Sequence, residues 1–267
     1  MQLLYGTAWK EDETERLVTL ALQCGFRGID TANQRKHYHE AQVGSALKAA
    51  FARGVKREEL FLQTKFTFRA GQDQRLPYDP KASITKQVEQ SFESSLEHLG
   101  VTSLDSYVLH GPSRRSGWHV EDEEAWAAME SLHASGKARA LGVSNVSIEQ
   151  LELLCARARL RPQYVQNRCY ASMGWDRAVR EFCVKHQLRY QGFSLLTANP
   201  EVLRSGVVTR AAKRLKRTPA QVIFRFACDV GMLPLTGTTD QQHMREDLAL
   251  DFALTQDEIR EIAQPGS

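Results

Sequence analysis

Short apolar runs alternate along this chain with longer stretches in which apolar residues recur every three or four positions. The short runs, at residues 3–7, 27–30, 60–65, 104–109, 138–144, 164–167, 189–193 and 232–235, read as β-strands. The 3.6-period stretches between them read as helices at 13–24, 40–53, 84–99, 121–135, 148–158, 177–186 and 219–230, with a broken helical segment at 200–215. Thr218 is placed to cap the helix that Pro219 opens. Eight such units average about 33 residues each, the length of a βα unit, and no sequence repeat underlies them. The first strand runs into Gly6-Thr7-Ala8-Trp9 rather than the GxGxxG turn of an open dinucleotide-binding sheet. The pattern therefore predicts a single-domain α/β protein, a closed (β/α)8 TIM barrel over residues 1–267.

Composition narrows function more than fold. Hydrophobic residues make up 42% and charged residues 25% of the chain, ordinary proportions for a globular protein. No apolar stretch approaches the ~20 residues that span a bilayer, and the first residues lack the features of a secretory signal. No membrane association is expected, and the cytoplasm is the expected location. Cys24, Cys155, Cys169, Cys183 and Cys228 contain no CxxC pair, which argues against both a disulfide framework and a zinc site. His37 and His39 form an HxH pair with nothing nearby to complete a metal site. The net charge of +3 is dispersed. Its densest basic run, 210–217, reads as a solvated helix face, so no nucleic-acid partner is expected.

Four side chains fall at or just beyond strand ends: Asp30, Tyr38, Lys65 and His110. A barrel opens all those ends onto one face, where such folds keep their chemistry. An acid, a phenol, an amine and an imidazole converging there suit carbonyl reduction. The carbonyl oxygen must gain a proton as its carbon gains hydride, and a free tyrosine, with a pKa near 10, is a poor donor. Lys65 is expected to lower that pKa, Asp30 to orient Lys65, and His110 to align the carbonyl oxygen.

The segments carrying these residues are Gly25-Phe26-Arg27-Gly28-Ile29-Asp30-Thr31-Ala32, Gln63-Thr64-Lys65, the run from Leu104 to His110, and the run from Gly136 to Asn145. In this order and spacing the chain resembles the aldo-keto reductases over nearly its whole length. The resemblance implies reduction of a small carbonyl substrate with NADPH, NADH being possible, by a monomer or weak homo-oligomer. It places Gly6, Thr7 and Asp30 at the cofactor. Ser144, Asn145 and Gln166 would bond the carboxamide, Phe193 would stack on the nicotinamide, and Ser194 and Leu196 would follow the pyrophosphate. Gly237, Thr238, Thr239, His243 and Asp247 match the phosphate loop and its following helix. That loop carries no Lys or Arg, so weak discrimination between NADPH and NADH is expected. A short C-terminal helix in place of a long loop implies an open pocket.

The chain departs from the family pattern at the tyrosine. Five residues after Asp30 stands Arg35, and counting back from Glu40 reaches His37; Tyr38 is the only tyrosine in a loop about two residues longer than usual. The expected arrangement bulges Arg35, Lys36 and His37 outward and turns Tyr38 back, with its hydroxyl in hydrogen-bond reach of Lys65 or His110. The long loops at 66–80 and 111–120 are expected to build the substrate pocket. Two other readings stand beside the reductase. One is a non-catalytic nucleotide-binding regulator or sensor on the same barrel; the other is an unrelated barrel lyase or isomerase.

Overall fold

Eight parallel strands hydrogen-bond in chain order and close on themselves: β1 (Leu4–Gly6), β2 (Gly28–Asp30), β3 (Phe61–Phe66), β4 (Ser106–Leu109), β5 (Leu141–Ser144), β6 (Tyr164–Arg168), β7 (Arg189–Phe193) and β8 (Met232–Thr236). This computed structural model describes residues 2–264; the expected terminus at Ser267 lies outside them. The predicted 138–144 strand is shorter because Ala138 pairs only through an isolated bridge to Leu104.

Helices α1 (Thr14–Cys24), α2 (Glu40–Ala52), α3 (Ile84–Leu99), α4 (Val120–Ala134), α5 (Ile148–Arg157) and α6 (Arg177–Lys185) connect the first seven strands in turn. The broken segment resolves into α7 (Pro200–Leu203) and α8 (Gly206–Leu215), the latter capped by Ser205. Thr218 caps α9 (Pro219–Asp229), accepting from Gln221 N–H with Pro219 in the first turn, where a missing N–H costs nothing. After β8 come α10 (Gln241–Leu248) and α11 (Gln256–Ala263). No described helix is long and apolar enough to cross a membrane.

Strand alternation divides the side chains into two sets. Tyr5, Ile29, Leu62, Phe66, Tyr107, Leu109, Val143 and Val165 join the buried cluster packed with the helices. Leu4, Leu233 and Leu235 form a separate small cluster with Phe61 and Phe193. The neighbouring layer, toward the strand ends, is polar: Gln63 and Gln191 exchange amide hydrogen bonds of 2.8 and 3.0 Å, and Gln166 donates to Gln191 at 2.9 Å. Three buried amides satisfying one another at this depth make a fixed platform for the strand ends.

Gly44 lets α2 lie against the last turn of α3. A Cβ there would fall inside the van der Waals radius of the His98 carbonyl oxygen and 2.9 Å from its carbonyl carbon. Backbone cannot yield as a flexible side chain can. Gly44→Ala should therefore lower the unfolding free energy by roughly 2 kcal/mol or more, the scale of overpacking, read as a lower urea midpoint. An unchanged midpoint would mean that the two helices can separate freely.

Candidate active site

Asp30 ends β2, Lys65 stands one residue from the end of β3, and His110 follows β4. The register pairing Asp30 with Gln63 and Lys65 with Val108 sets them at one end of the barrel. The Lys65 Nζ lies 2.8 Å from each Asp30 carboxylate oxygen and donates to the Thr31 carbonyl at 2.8 Å. Asp30 Oδ1 also accepts from Gln63 Nε2 at 2.6 Å and Gln166 Nε2 at 3.0 Å. Burial lowers the Lys65 pKa, while Asp30 and then Glu40 oppose the shift. A buried ion pair is tolerable when its remaining lone pairs and protons are satisfied in this way.

Tyr38 reaches the same place from a loop clamped at its start. Thr31 N–H donates to Gln63 O at 2.9 Å and Asn33 N–H to Lys65 O at 3.3 Å. The chain then turns: His37 and Tyr38 N–H both donate to Gln34 O, at 3.1 and 3.0 Å. Lys36 projects into solvent. His37 is held instead by Trp9, whose N–H donates to its carbonyl at 2.7 Å and whose ring stacks on it at 3.9 Å. The Tyr38 ring lies 5.3 Å from Lys65 Nζ and edge-on to His110 at 5.8 Å between centroids.

Two details of the Tyr38 expectation are corrected. Its hydroxyl bonds neither Lys65 nor His110 and has no hydrogen-bond partner among the described residues, because the Lys65 bonds go to Asp30 and Thr31. Its pKa is raised, not lowered: burial dominates, the Asp30 charge adds to it, and Arg168 opposes. The lysine's field on the phenol is offset by the carboxylate it holds. Tyr38 is a neutral, protonated phenol.

His110 is anchored at both ends. Its N–H donates to Phe66 O at 2.8 Å, its carbonyl accepts from Asn145 Nδ2 at 2.8 Å, and its Nδ1 lies 2.7 Å from Thr67 Oγ1. Burial and then the Lys65 charge hold its pKa well below the usual histidine value. The ring is neutral, and a Thr67 hydroxyl donating to Nδ1 leaves the ring proton on Nε2.

A cavity of about 550 Å³ lies across these strand ends. Among the expected residues, Gly6, Asp30, Tyr38, His110, Ser144, Asn145, Gln166, Phe193, Ser194, Leu196, Gly237 and Thr238 line it. Asn145 and Ser194 line it with φ of 53° and 58°, left-handed backbone that non-glycine residues adopt at a cost and that gathers at functional sites.

Four residues expected at the cofactor do not line the cavity. Thr7 is fully buried and latches β1 to β2, its N–H and hydroxyl donating to Asp30 O at 3.0 and 3.1 Å. Asp247 is buried behind β8, accepting from Thr236 Oγ1 at 2.7 Å. Thr239 and His243 are exposed beyond the cavity's end at Thr238. The N-terminus of α10, the helix that follows the expected phosphate loop, is already capped: His243 N–H donates to Asp240 Oδ1 at 2.9 Å.

The two long loops do not line the cavity either. The 66–80 loop folds onto itself and the rim, with Tyr78 Oη donating to Thr67 O at 2.8 Å and Gln72 Nε2 to Asn33 O at 2.9 Å. The 111–120 loop is tied down by Asp122, which accepts from Ser113 N–H at 2.6 Å and His119 N–H at 2.9 Å. Both brace the site from outside.

A cation not anticipated at the phosphate loop comes from the β1–α1 connection. Lys10 lines the cavity, donates from Nζ to the Gly237 carbonyl and lies 5.9 Å from the Tyr5 ring centroid. Burial lowers its pKa. Its only sequence signal is a lysine four residues past Gly6. Among the described residues no cluster of three metal-ligating side chains exists.

Burial raises the Asp247 carboxyl to about 6, with the Thr236 hydrogen bond opposing. A carboxyl with a raised folded pKa stabilises fully below its unfolded value, ~3.9, and loses that contribution as pH climbs through the folded one. Asp247→Asn should gain stability relative to the native protein between pH 4 and 7, by roughly 2 kcal/mol. Urea unfolding at both pH values measures this; parallel pH dependences would contradict it.

The sequence profile of the Aldo/keto reductase family matches residues 2–265. A 9,11-endoperoxide prostaglandin H2 reductase from Trypanosoma cruzi is 30% identical over 94% of this chain and 81% of its own. A methylglyoxal reductase from Salmonella typhimurium is 30% identical over 96% of this chain and 86% of its own. The crystal structure of an aldo/keto reductase from Brucella melitensis superposes with a TM-score of 0.83 at 25% identity, covering 98% of this chain and 93% of that one.

Proposed function

Because the chain belongs to the aldo/keto reductase family, and is an oxidoreductase that reduces carbonyl groups with NAD(P)H, we propose that Tyr38 is its proton donor. The observation that carries this is a neutral phenol lining the cavity, its hydroxyl without an internal partner, with Lys65 at 5.3 Å and His110 edge-on. A tyrosine that lines the cavity beside Lys65 and His110 favours the reductase reading over a non-catalytic one on the same barrel.

A nicotinamide bound in the cavity would supply hydride for the carbonyl carbon; the protein's residues manage the oxygen. Tyr38 Oη donates its proton to the oxygen as negative charge grows there. Its raised pKa keeps the donor loaded, and transfer becomes favourable only toward an oxygen that has become alkoxide-like. The Lys65 ammonium, fixed by Asp30, then stabilises the phenolate left behind. His110, neutral and held by Thr67, offers Nε2–H to the same oxygen.

The cavity suits the cofactor at both ends. Gln166 commits its amide N–H groups to Asp30 and Gln191, leaving its Oε1 to accept from a carboxamide beside Ser144 and Asn145, with Phe193 as the stacking face. At the other end Gly237, Thr238 and Lys10 would hold the phosphates. NADPH is the preferred cofactor, but only weakly. The Asp240 cap sets a carboxylate at the helix end that would otherwise welcome an additional phosphate. Five free thiols support a reducing compartment, the cytoplasm. The substrate is a small aldehyde or ketone.

Tyr38→Phe should lower kcat for a reactive aldehyde by at least ~100-fold, the low end for losing a general acid, with the thermal unfolding midpoint unchanged. Native turnover would transfer the proton role to His110 or water. Lys10→Met should weaken NADPH and NADH by similar factors, about tenfold or ~1.4 kcal/mol each, measured by fluorescence titration. A loss confined to NADPH would place Lys10 on the 2′-phosphate and contradict the weak-preference reading.

A further inference from the structure

The mechanism leaves one charged group at the cavity unexplained. Arg168 is the last residue of β6, two positions beyond Gln166, so strand alternation sends both toward the same face. Arg168 lines the cavity and is exposed. Its guanidinium lies 5.2 Å from the centroid of the Phe193 ring, and it forms no hydrogen bond or ion pair among the described residues.

The other charged groups of the cavity are committed. Asp30 holds Lys65, and Lys10 rests on the Gly237 carbonyl in the phosphate-loop region. His37 is held toward its neutral form by burial and by Lys36, with Asp73 opposing. Arg168 is instead coupled to the reacting end, because its positive charge acts directly on Tyr38. An unpaired guanidinium at the cavity mouth is poised to accept an anion.

We propose that Arg168 is a specificity-determining residue that selects carbonyl substrates carrying a carboxylate, binding it while the carbonyl oxygen faces Tyr38. This rests on the reductase reading above and names its substrate class. A planar guanidinium pairs with both oxygens of a carboxylate. Stacking on Phe193 limits its side-chain freedom before binding, which reduces the ordering cost on association. Substrates with no charge gain none of this.

The test compares 4-carboxybenzaldehyde with benzaldehyde, whose carbonyl is of similar electrophilicity because a para-carboxylate is a weak ring substituent. The native enzyme should favour the carboxylate by at least tenfold in kcat/KM. Arg168→Gln should collapse that ratio at least tenfold, chiefly through KM, and Arg168→Lys should restore part of it. A ratio unchanged in Arg168→Gln overturns the proposal, as does an unchanged ratio with weakened NADPH binding, which would assign Arg168 to the cofactor. If neither aldehyde is reduced with NADPH or NADH, the reductase reading fails separately. The carboxylate site is then read by calorimetric titration of 4-(hydroxymethyl)benzoate. At least tenfold weaker binding in Arg168→Gln supports the site, and equal binding removes it. Because Arg168 is exposed and, among the described residues, makes no hydrogen bond or ion pair, the thermal midpoint of Arg168→Gln should match the native protein and exclude misfolding.

Discussion

A carboxylate and an ammonium buried together at the end of a closed barrel govern the rest of this structure. Removing two charges from water is expensive, and Asp30 and Lys65 are both nearly sealed from it. The layer beneath is accordingly polar where a barrel interior is usually aliphatic. Gln63 and Gln166 are turned inward to donate to Asp30, and Gln191 accepts from both of them. Because the lysine's charge is answered at once by the carboxylate, it does not acidify its neighbour in the resting protein. On the proposed mechanism it becomes effective only when a second negative charge appears, on the phenol, during reaction. The site is electrostatically quiet until turnover.

The same layout separates functions along one cavity. On the proposed reading, Lys10 and the β8 loop form a phosphate-facing end, and the carboxylate, phenol and imidazole form a reacting end. Left-handed Asn145 and Ser194 lie between them. His110 is positioned by β4, by Thr67 from the following loop of β3 and by Asn145 beyond β5. Three neighbouring βα connections therefore share the task of aiming one imidazole.

The parts of this arrangement visible in the sequence are those fixed by local periodicity. All eight strands and the main helices follow from apolar spacing, and Asp30, Lys65 and His110 follow from where strands end. Tyr38 could be nominated but not placed, since its direction depends on a turn closed on the Gln34 carbonyl. The family resemblance placed Thr7 and Asp247 at the cofactor, yet their polar atoms are spent on Asp30 O and Thr236. Lys10 was missed because its partner Gly237 lies 227 positions away, a distance no spacing rule covers. The aromatic 66–80 loop resembled a pocket wall. Its Tyr78 hydroxyl is instead consumed by Thr67 O, and nothing in composition distinguishes a brace from a wall.

The tyrosine loop has a consequence for how such a site can change length. Its entry is clipped to β3 through Thr31 and Asn33, and its exit is held where Glu40 accepts from Thr64 and meets His98 at 3.2 Å. Between these clips the crest at Lys36 stands in solvent. Added residues at the crest would incur only a slowly growing closure entropy, while the clips preserve the aim of the phenol. Lys36 is thus a natural point of attachment, where a reporter or an affinity handle can be spliced beside a working catalytic centre.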